Sequence, residues 1–524
     1  MKHPIFLDAL PLVEGPWQDA LHWPTVFADD GQLLRKIPEL LLDHISKQND
    51  ADLRAVLLLA IPSAMILPLV QFALWVDAAA RKRMALEGHE LLDALDAKGP
   101  CRPSLGRWVK ALGVRNDPPV RHLTARRIAR TASWTPVHLM PKAMTRPSGV
   151  ALNHNGLLRS YLRKSGHAIR QSYDFDWDCI GAPPDEALSK KIDNCAMSGA
   201  VINEISAGLP LNRESLVRLQ SVMSEFLEAS IQRSVDCLSK LRQAKSLPNK
   251  LFSGTGNRFA SRALGLEILR RGGEVIRFDH GGSTVLLDLP ANIALSELSV
   301  SCKLMMSTKR AAETENVAEG NRRVLPIQKC IVEGHTGDPS LDIGSSSLRR
   351  SARPAGRRRV LYVSTALYAL QQVVPPVMPA PLYLDWQKRL SDILNEFPID
   401  FFRKPHPGGS KPPAGFELSG NDKYVAEPFE AVVKNIDVLV YDYAATTTLA
   451  QGLCTDRAIV LIDHGSMQFN SSVASQINSR CRIIDASYDD RGRPTINREE
   501  FEDAVCGSVE EADPSFFRKL FLDA

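Results

Sequence analysis

KLFSGTGNRFASRALGLEILRRGGEVIRFDHGG, residues 250–282, reads as one complete supersecondary unit. A short apolar strand around Leu251 and Phe252 enters a loop of Ser, Gly and Thr. From Phe259 apolar residues recur at intervals of three and four, the period of a helix with one buried face, and Gly272-Gly273 stop it. EVIRF (274–278) is a second strand, followed by the loop DHGG. Strand, helix and strand in this order make a βαβ unit. Its loops lie where open α/β sheets bind ligands.

The same rhythm extends in both directions. SGVALNHNGLLRSYLRKSG (148–166) reads as strand, turn, helix and glycine stop, and residues 211–244 as one long amphipathic helix. ELSVSCKLMMSTKRAAETENVAEG repeats the pattern after the central unit. GDPSLDIGSSSLRRSARPAGRRR (337–359) is poor in apolar residues and rich in Gly, Ser, Pro and Arg, a linker composition. Beyond it the alternation restarts. RRVLYVSTAL (358–367) is a strand into a small-residue loop, 385–398 a helix, and FFRKPHPGG (401–409) a strand into a stiff cationic loop. KNIDVLVYDYAATTTLAQGL (434–453), RAIVLIDHG (457–465) and CRIIDAS (481–487) supply three more strands, and 497–510 a closing helix. The expected division is 1–130 helical, 131–340 α/β, 341–358 linker and 359–524 α/β. Two α/β domains joined in this way place a cleft between two sets of strand ends.

At 524 residues the chain exceeds one hydrophobic core. Its 44% hydrophobic and 24% charged content is that of a soluble globular protein, and a net charge of +4 does not call for a nucleic-acid partner. Nine dispersed cysteines without a C-x-x-C pair point to reduced cytosolic thiols, not to disulfides or zinc. The N-terminus lacks the pattern of a secretory signal. Residues 55–76 reach the length and apolarity of a membrane span, but Pro62, Pro68, Ser63 and Gln71 interrupt them. A buried helix pair is the expected form, with peripheral membrane contact as the alternative. The first 130 residues carry no recognisable chemistry.

Two loops of the second α/β domain do. Pro405 and Pro407 stiffen the segment that presents Arg403, Lys404 and His406 at a strand end. In YDYAATTTLAQGL (441–453) an apolar strand ends at Asp442, and Thr446, Thr447 and Thr448 stand where the next helix begins. Threonine is a natural N-cap there, and hydroxyls beside exposed backbone N–H groups suit a phosphate. Each loop alone is a weak signal; together, on strands of one parallel sheet, they point to an anionic, nucleotide-type ligand.

KPHPGG, DVLVYDYAATTTLAQGL and RAIVLIDHG together resemble the C-terminal domain of bacterial surface-carbohydrate glycosyltransferases of GT-B architecture. The likeness is to capsule polysaccharide biosynthesis proteins, including Kdo transferases, with sialyltransferase-like and CDP-glycerol glycerophosphotransferase relatives. It covers roughly residues 250–490, and SGTG (253–256) and FDHGG (278–282) are similar to the acceptor-side domain of the same families. The resemblance implies two Rossmann-like domains facing a cleft, here with a helical N-terminal extension. It also implies that His406-Pro407 and Thr446–Thr448 hold the phosphates of a CMP- or CDP-linked donor.

Glycosyl transfer needs a base or nucleophile, positive charge for the departing phosphate, and a hold on the nucleotide. Lys404, His406 and the threonines answer the last two without a metal or other cofactor. DFDWD (174–178) contains an acidic triplet but reads as packing or capping. Asp279 or His280 is the candidate base or nucleophile, followed by two glycines that let backbone approach closely. Glu427 is placed to hold a ribose or base edge, and Asp463-His464-Gly465 repeats the DHG pattern in the second domain, where it could face the cleft. The expectation is a cytoplasmic enzyme with a nucleotide-sugar donor and a glycan or glycolipid acceptor. Peripheral inner-membrane contact stays open, as do a glycerophosphotransferase, a GT-B epimerase and a non-catalytic scaffold subunit.

Overall fold

The computed structural model describes residues 2–13, 15–63, 66–87, 135, 137–145, 148–171, 186–245, 247–324, 329–343, 357–367, 376–408, 411–416, 418, 423–507 and 513–523. Most of the linker expected at 341–358, and the DFDWD segment, lie outside these residues.

Two parallel six-stranded sheets form the body. The first contains β3 (Gly149–Leu152), β4 (Ile169–Gln171), β5 (Lys250–Ser253), β6 (Glu274–Phe278), β7 (Lys303–Met306) and β8 (Ile331–Gly334), in the order β4-β3-β5-β6-β7-β8. The second contains β9 (Arg359–Val363), β10 (Asp400–Lys404), β11 (Lys423–Tyr424), β12 (Val438–Tyr441), β13 (Ala458–Asp463) and β14 (Arg482–Asp485), in the order β11-β10-β9-β12-β13-β14. Each sheet starts near its middle and grows outward in both directions, which is the doubly wound, Rossmann-like plan. The central strands are apolar on both faces, as a parallel sheet covered by helices on both sides requires. All four residues of β12, VLVY, are buried.

The order also fixes where the chain reverses direction across each sheet. In the first sheet that crevice lies between β3 and β5, at Asn153–Asn155 and Gly254. In the second it lies between β9 and β12, at Ser364-Thr365 and Asp442.

The N-terminal region packs on both lobes. Helices α1 (Phe27–Ser46), α2 (Ala51–Ala60) and α3 (Ile66–Arg81) form a layer, with β1 (Lys2–Pro4) and β2 (Ala85–Glu87) paired beside it. The described residues of the apolar 55–76 segment lie mostly in the buried helices α2 and α3, with a 3-10 turn at Ile61–Ser63 after α2, and no described helix is long and apolar enough to cross a membrane. Against the first lobe, Ser230 Oγ on the long helix Arg213–Gln243 donates to Ala60 O at 2.8 Å. The guanidinium of Arg262, on the helix Phe259–Arg270, reaches Leu58 O at 3.0 Å through Nε. Against the second lobe, Trp23 N–H donates to Arg491 O at 2.7 Å, and Gly31 lies directly on Ser466.

The lobes also hold each other. Asn470 N–H donates to Leu286 O and Asp288 N–H to Gln468 O, both at 2.9 Å, around an antiparallel bridge of Leu287 with Phe469. The helix Ser515–Phe521 follows every strand of the second lobe yet packs on the first: Thr308 Oγ1 donates to Leu520 O at 2.6 Å, and Asp338 N–H to Phe521 O at 2.9 Å.

Candidate functional site between the lobes

The loop FDHGG leaves β6 and crosses to the second lobe. Gly281 and Gly282 both have φ of +75°, a region that side chains with a Cβ rarely adopt. A Cβ on Gly281 would lie 2.8 Å from Thr447 Oγ1, and one on Gly282 would lie 2.9 Å from Ala450 Cβ. The paired glycines therefore let the loop rest on the first turn of the helix Thr447–Leu453. Asp279 and His280 are held beside the threonines by this contact.

Asp279 is 7% exposed and His280 is exposed. Burial raises the Asp279 pKa; a Thr284 hydrogen bond and the charge of His280 pull it back, while Glu297 pushes it further up. The backbone around it is fixed by Asn155, whose Nδ2 donates to Gly254 O at 3.0 Å, Phe278 O at 3.1 Å and Asp279 O at 3.0 Å. The Asn155 Oδ1 meanwhile caps the helix Gly156–Lys164 through Leu158 N–H at 2.8 Å. One amide thus ties three strand ends to a helix start. Asp338 stands in the same region: it is buried, accepts Ser340 Oγ at 2.7 Å, and has its pKa raised by burial with Asp279 adding to the effect.

The SGTG loop is tied to Glu297 of its own lobe. Gly256 N–H donates to Glu297 Oε2 at 2.6 Å and Thr255 Oγ1 to Glu297 Oε1 at 3.2 Å, so this loop braces its own lobe.

Across the cleft, Thr446 caps its helix, accepting Leu449 N–H and Thr448 Oγ1, each at 3.2 Å. Thr447 is exposed. At the end of β10, burial lowers the Lys404 pKa, with Glu430 and Glu427 opposing, and its amine donates to Glu427 O at 2.6 Å. Glu430 Oε1 in turn accepts Gln451 Nε2 at 2.8 Å, which ties the Lys404 neighbourhood to the threonine helix. His406 is exposed, with its ring accepting Gly408 N–H at 3.0 Å inside its own turn. Among the described residues no hydrogen bond joins His406 to the threonines. The Glu427 side chain is exposed, and its carbonyl is the group that meets Lys404.

Two buried groups behind this surface were not legible as such. Asp442 accepts from the Tyr362 hydroxyl, Tyr383 Oη at 3.0 Å and Trp386 Nε1 at 3.1 Å. Burial raises its pKa to about 6 despite these donors. It anchors the strand end from which the threonine loop departs. His464, read in sequence as a residue able to face the cleft, is instead 3% exposed and stands edge-on to Trp386, ring centroids 4.8 Å apart. Among the described residues neither ring nitrogen has a hydrogen-bond partner, and burial lowers its pKa to about 3, with Arg389 adding to the effect.

The His464 shift predicts a pH dependence of stability. Between pH 6.5 and about 3 the unfolded chain binds a proton at this residue that the folded chain refuses, so stability falls as pH falls. Asp30 and Asp442, raised to about 7 and about 6, act in the opposite sense over the same window. The comparison with His464→Phe isolates the histidine. Relative to the parent, the variant should gain on the order of 1.4 kcal/mol per pH unit below 6.5. Urea unfolding at pH 7, 6 and 5 reads this difference, and a constant difference would refute it.

No family model and no curated protein matches this chain. Among solved structures, the glycosyltransferase of kitacinnamycin matches at 16% identity over 71% of this chain and 91% of its own, with a TM-score of 0.33. The glycosyltransferase SnogD from Streptomyces nogalater matches at 16% identity over 71% of this chain and 97% of its own, with a TM-score of 0.28. At these scores the fold assignment rests on the two sheets and their strand orders, and the chain is α/β with two Rossmann-like lobes meeting at their strand ends.

Proposed function

We propose that this chain is a glycosyltransferase that moves a sugar from a nucleotide-activated, CMP-type donor to a hydroxyl of a surface or capsular polysaccharide. The observation that supports it most is the seating of the Asp279–Gly282 loop on Thr447, which sets a buried carboxyl of one lobe beside the hydroxyl cluster of the other. In this reading Asp279 takes the proton of the acceptor hydroxyl, or attacks the anomeric carbon, with His280 at the mouth. Thr446, Thr447, Thr448, Lys404 and His406 hold the phosphate and stabilise its departing charge, and Glu427 meets the nucleoside. Lys404 has only to turn from a neutral carbonyl to a phosphate, an exchange that a charge-assisted bond favours. Metal-free operation and contact with the inner membrane surface belong to the same proposal.

Incubation of the purified protein with CMP-linked sugar and with CDP-glycerol, scored by mass for CMP release, tests it. Sugar-dependent CMP release is expected, reduced at least tenfold by Thr446→Val combined with Thr448→Val and by His406→Ala. Release from CDP-glycerol alone would make the enzyme a glycerophosphotransferase. No release from either, with no thermal shift on adding nucleotide, would leave a scaffold.

A further inference from the structure

Beside the contact between the lobes lies a cavity of about 600 Å³ whose walls come from three parts of the chain. Gln32 and Arg35 project from α1, Asp288 and Asn292 come from the first lobe, and Gln468 and Phe469 come from the second. The size is that of a small-molecule site. The 279–288 loop connects it to the proposed active site: Asp279 and His280 begin that loop, and Asp288 ends it in the cavity wall.

The polar groups of the wall fall into two sets. One set is engaged by the fold. Asn316 accepts Leu289 N–H at 2.9 Å and donates to Thr284 O at 2.7 Å; Arg323 pairs with Glu319 at 2.9 Å; Glu315 accepts Ser471 Oγ at 2.7 Å. The other set is unengaged among the described residues: there Arg35 Nε is buried without a partner, and the side chains of Gln32, Asn292 and Gln468 make no hydrogen bond. Arg35 faces Asp288 and Asp463, whose charges oppose the loss of its proton that burial favours.

This second set, with Asp288 and the exposed Lys36, is a mixture of two pure donors, a pure acceptor and three amides that are both. A phosphate or carboxylate ligand would call for donors alone, and an ammonium for acceptors alone. A hydroxyl is donor and acceptor at once, so a ligand carrying many of them matches every member. The lining also has as many carboxylates as cations, which leaves no net charge for an ionic ligand to neutralise. Half-buried Phe469 offers an apolar surface to the C–H face of a sugar ring.

We propose that this cavity binds the acceptor as a neutral, hydroxyl-rich oligosaccharide, holding about two or three rings of the growing chain while its end lies along the 279–288 loop toward Asp279. The assignment rests on the glycosyl-transfer reading for the word acceptor, and on the cavity alone for the saccharide. Polymer length control follows from such a site, because a chain too short to fill it is held only at the reacting end.

A glycan array carrying neutral and acidic oligosaccharides, probed with the labelled full-length chain, tests it. Binding to neutral oligosaccharides is expected, weakened at least tenfold by Arg35→Gln and by Gln468→Ala. Gln468 is exposed, so its variant is the one that keeps the fold, checked by an unchanged thermal midpoint. Binding to acidic glycans only, binding unaltered in both variants, or no binding to any glycan would overturn the proposal. Nucleotide thermal shifts on the same variants separate the two readings. A nucleotide shift without glycan binding removes the saccharide site and leaves the transferase. Glycan binding lost in the variants without a nucleotide shift removes the transferase and leaves the saccharide site.

Discussion

Asp279→Asn is expected to lower turnover by about two to four orders of magnitude while leaving nucleotide binding within about twofold of the parent. The substitution keeps size and the backbone bonds to Asn155 and Met305, and removes only the ability to take a proton or attack carbon. The buried carboxyl also sets the pH profile. Its pKa is raised above the ordinary carboxylate range, so kcat/KM should rise with pH through a midpoint displaced upward from that range and level off once it is ionised. In the variant that limb should vanish. Initial rates of CMP release between pH 4 and 8, for parent and variant, give both measurements. A variant retaining a third or more of the parent rate would move the chemistry to another residue, and Asp338, a buried carboxyl that feels the charge of Asp279, would be tested next.

Arg262→Met is expected to cost about 3–5 kcal/mol of stability, the largest effect of any single substitution away from the cleft. The guanidinium is 1% exposed and donates to Leu58 O at 3.0 Å, Gly256 O at 3.1 Å, Ser296 O at 2.9 Å and Leu295 O at 3.1 Å. Burial, with neighbouring Arg277 adding to the effect, lowers its pKa to about 9, so it remains charged at neutral pH. Methionine fills the volume but leaves those carbonyls without donors in a dry interior, where each lost partner carries a desolvation cost. Because Leu58 belongs to α2, the loss should fall on the seam between the N-terminal helices and the first lobe. Hydrogen exchange should quicken across Ala51–Ala60 more than across β12. A urea midpoint indistinguishable from the parent would mean that the four carbonyls find other donors and that Arg262 does not hold the seam.

The sheets were legible because their signals are local. The strand of DVLVY, the helix after SGTG and the glycine stop at Gly272 each depend on residues within a few positions, and each element stands within a few residues of its reading. The proximity of FDHGG to the threonines followed only from resemblance, since nothing local tells which strand ends will meet across two domains. Asn155 lies in a stretch legible only as a turn before a helix; its grip on two other strand ends is set by the sheet order. His464 was read as able to face the cleft because sequence gives no account of Trp386, some eighty positions earlier. The cavity was out of reach for the same reason. Arg35, Asp288 and Gln468 come from three distant segments, and the first lies in a region whose sequence carries no chemical motif.

The helix Ser515–Phe521 closes the first lobe with residues synthesised after the entire second sheet. During translation the loops at Ser307-Thr308 and Gly337-Asp338 emerge long before their covering helix, so the early lobe carries an uncapped apolar face throughout synthesis of about two hundred further residues. Chaperone dependence and the yield of nascent chains arrested before Ser515 are therefore where this architecture exacts its cost.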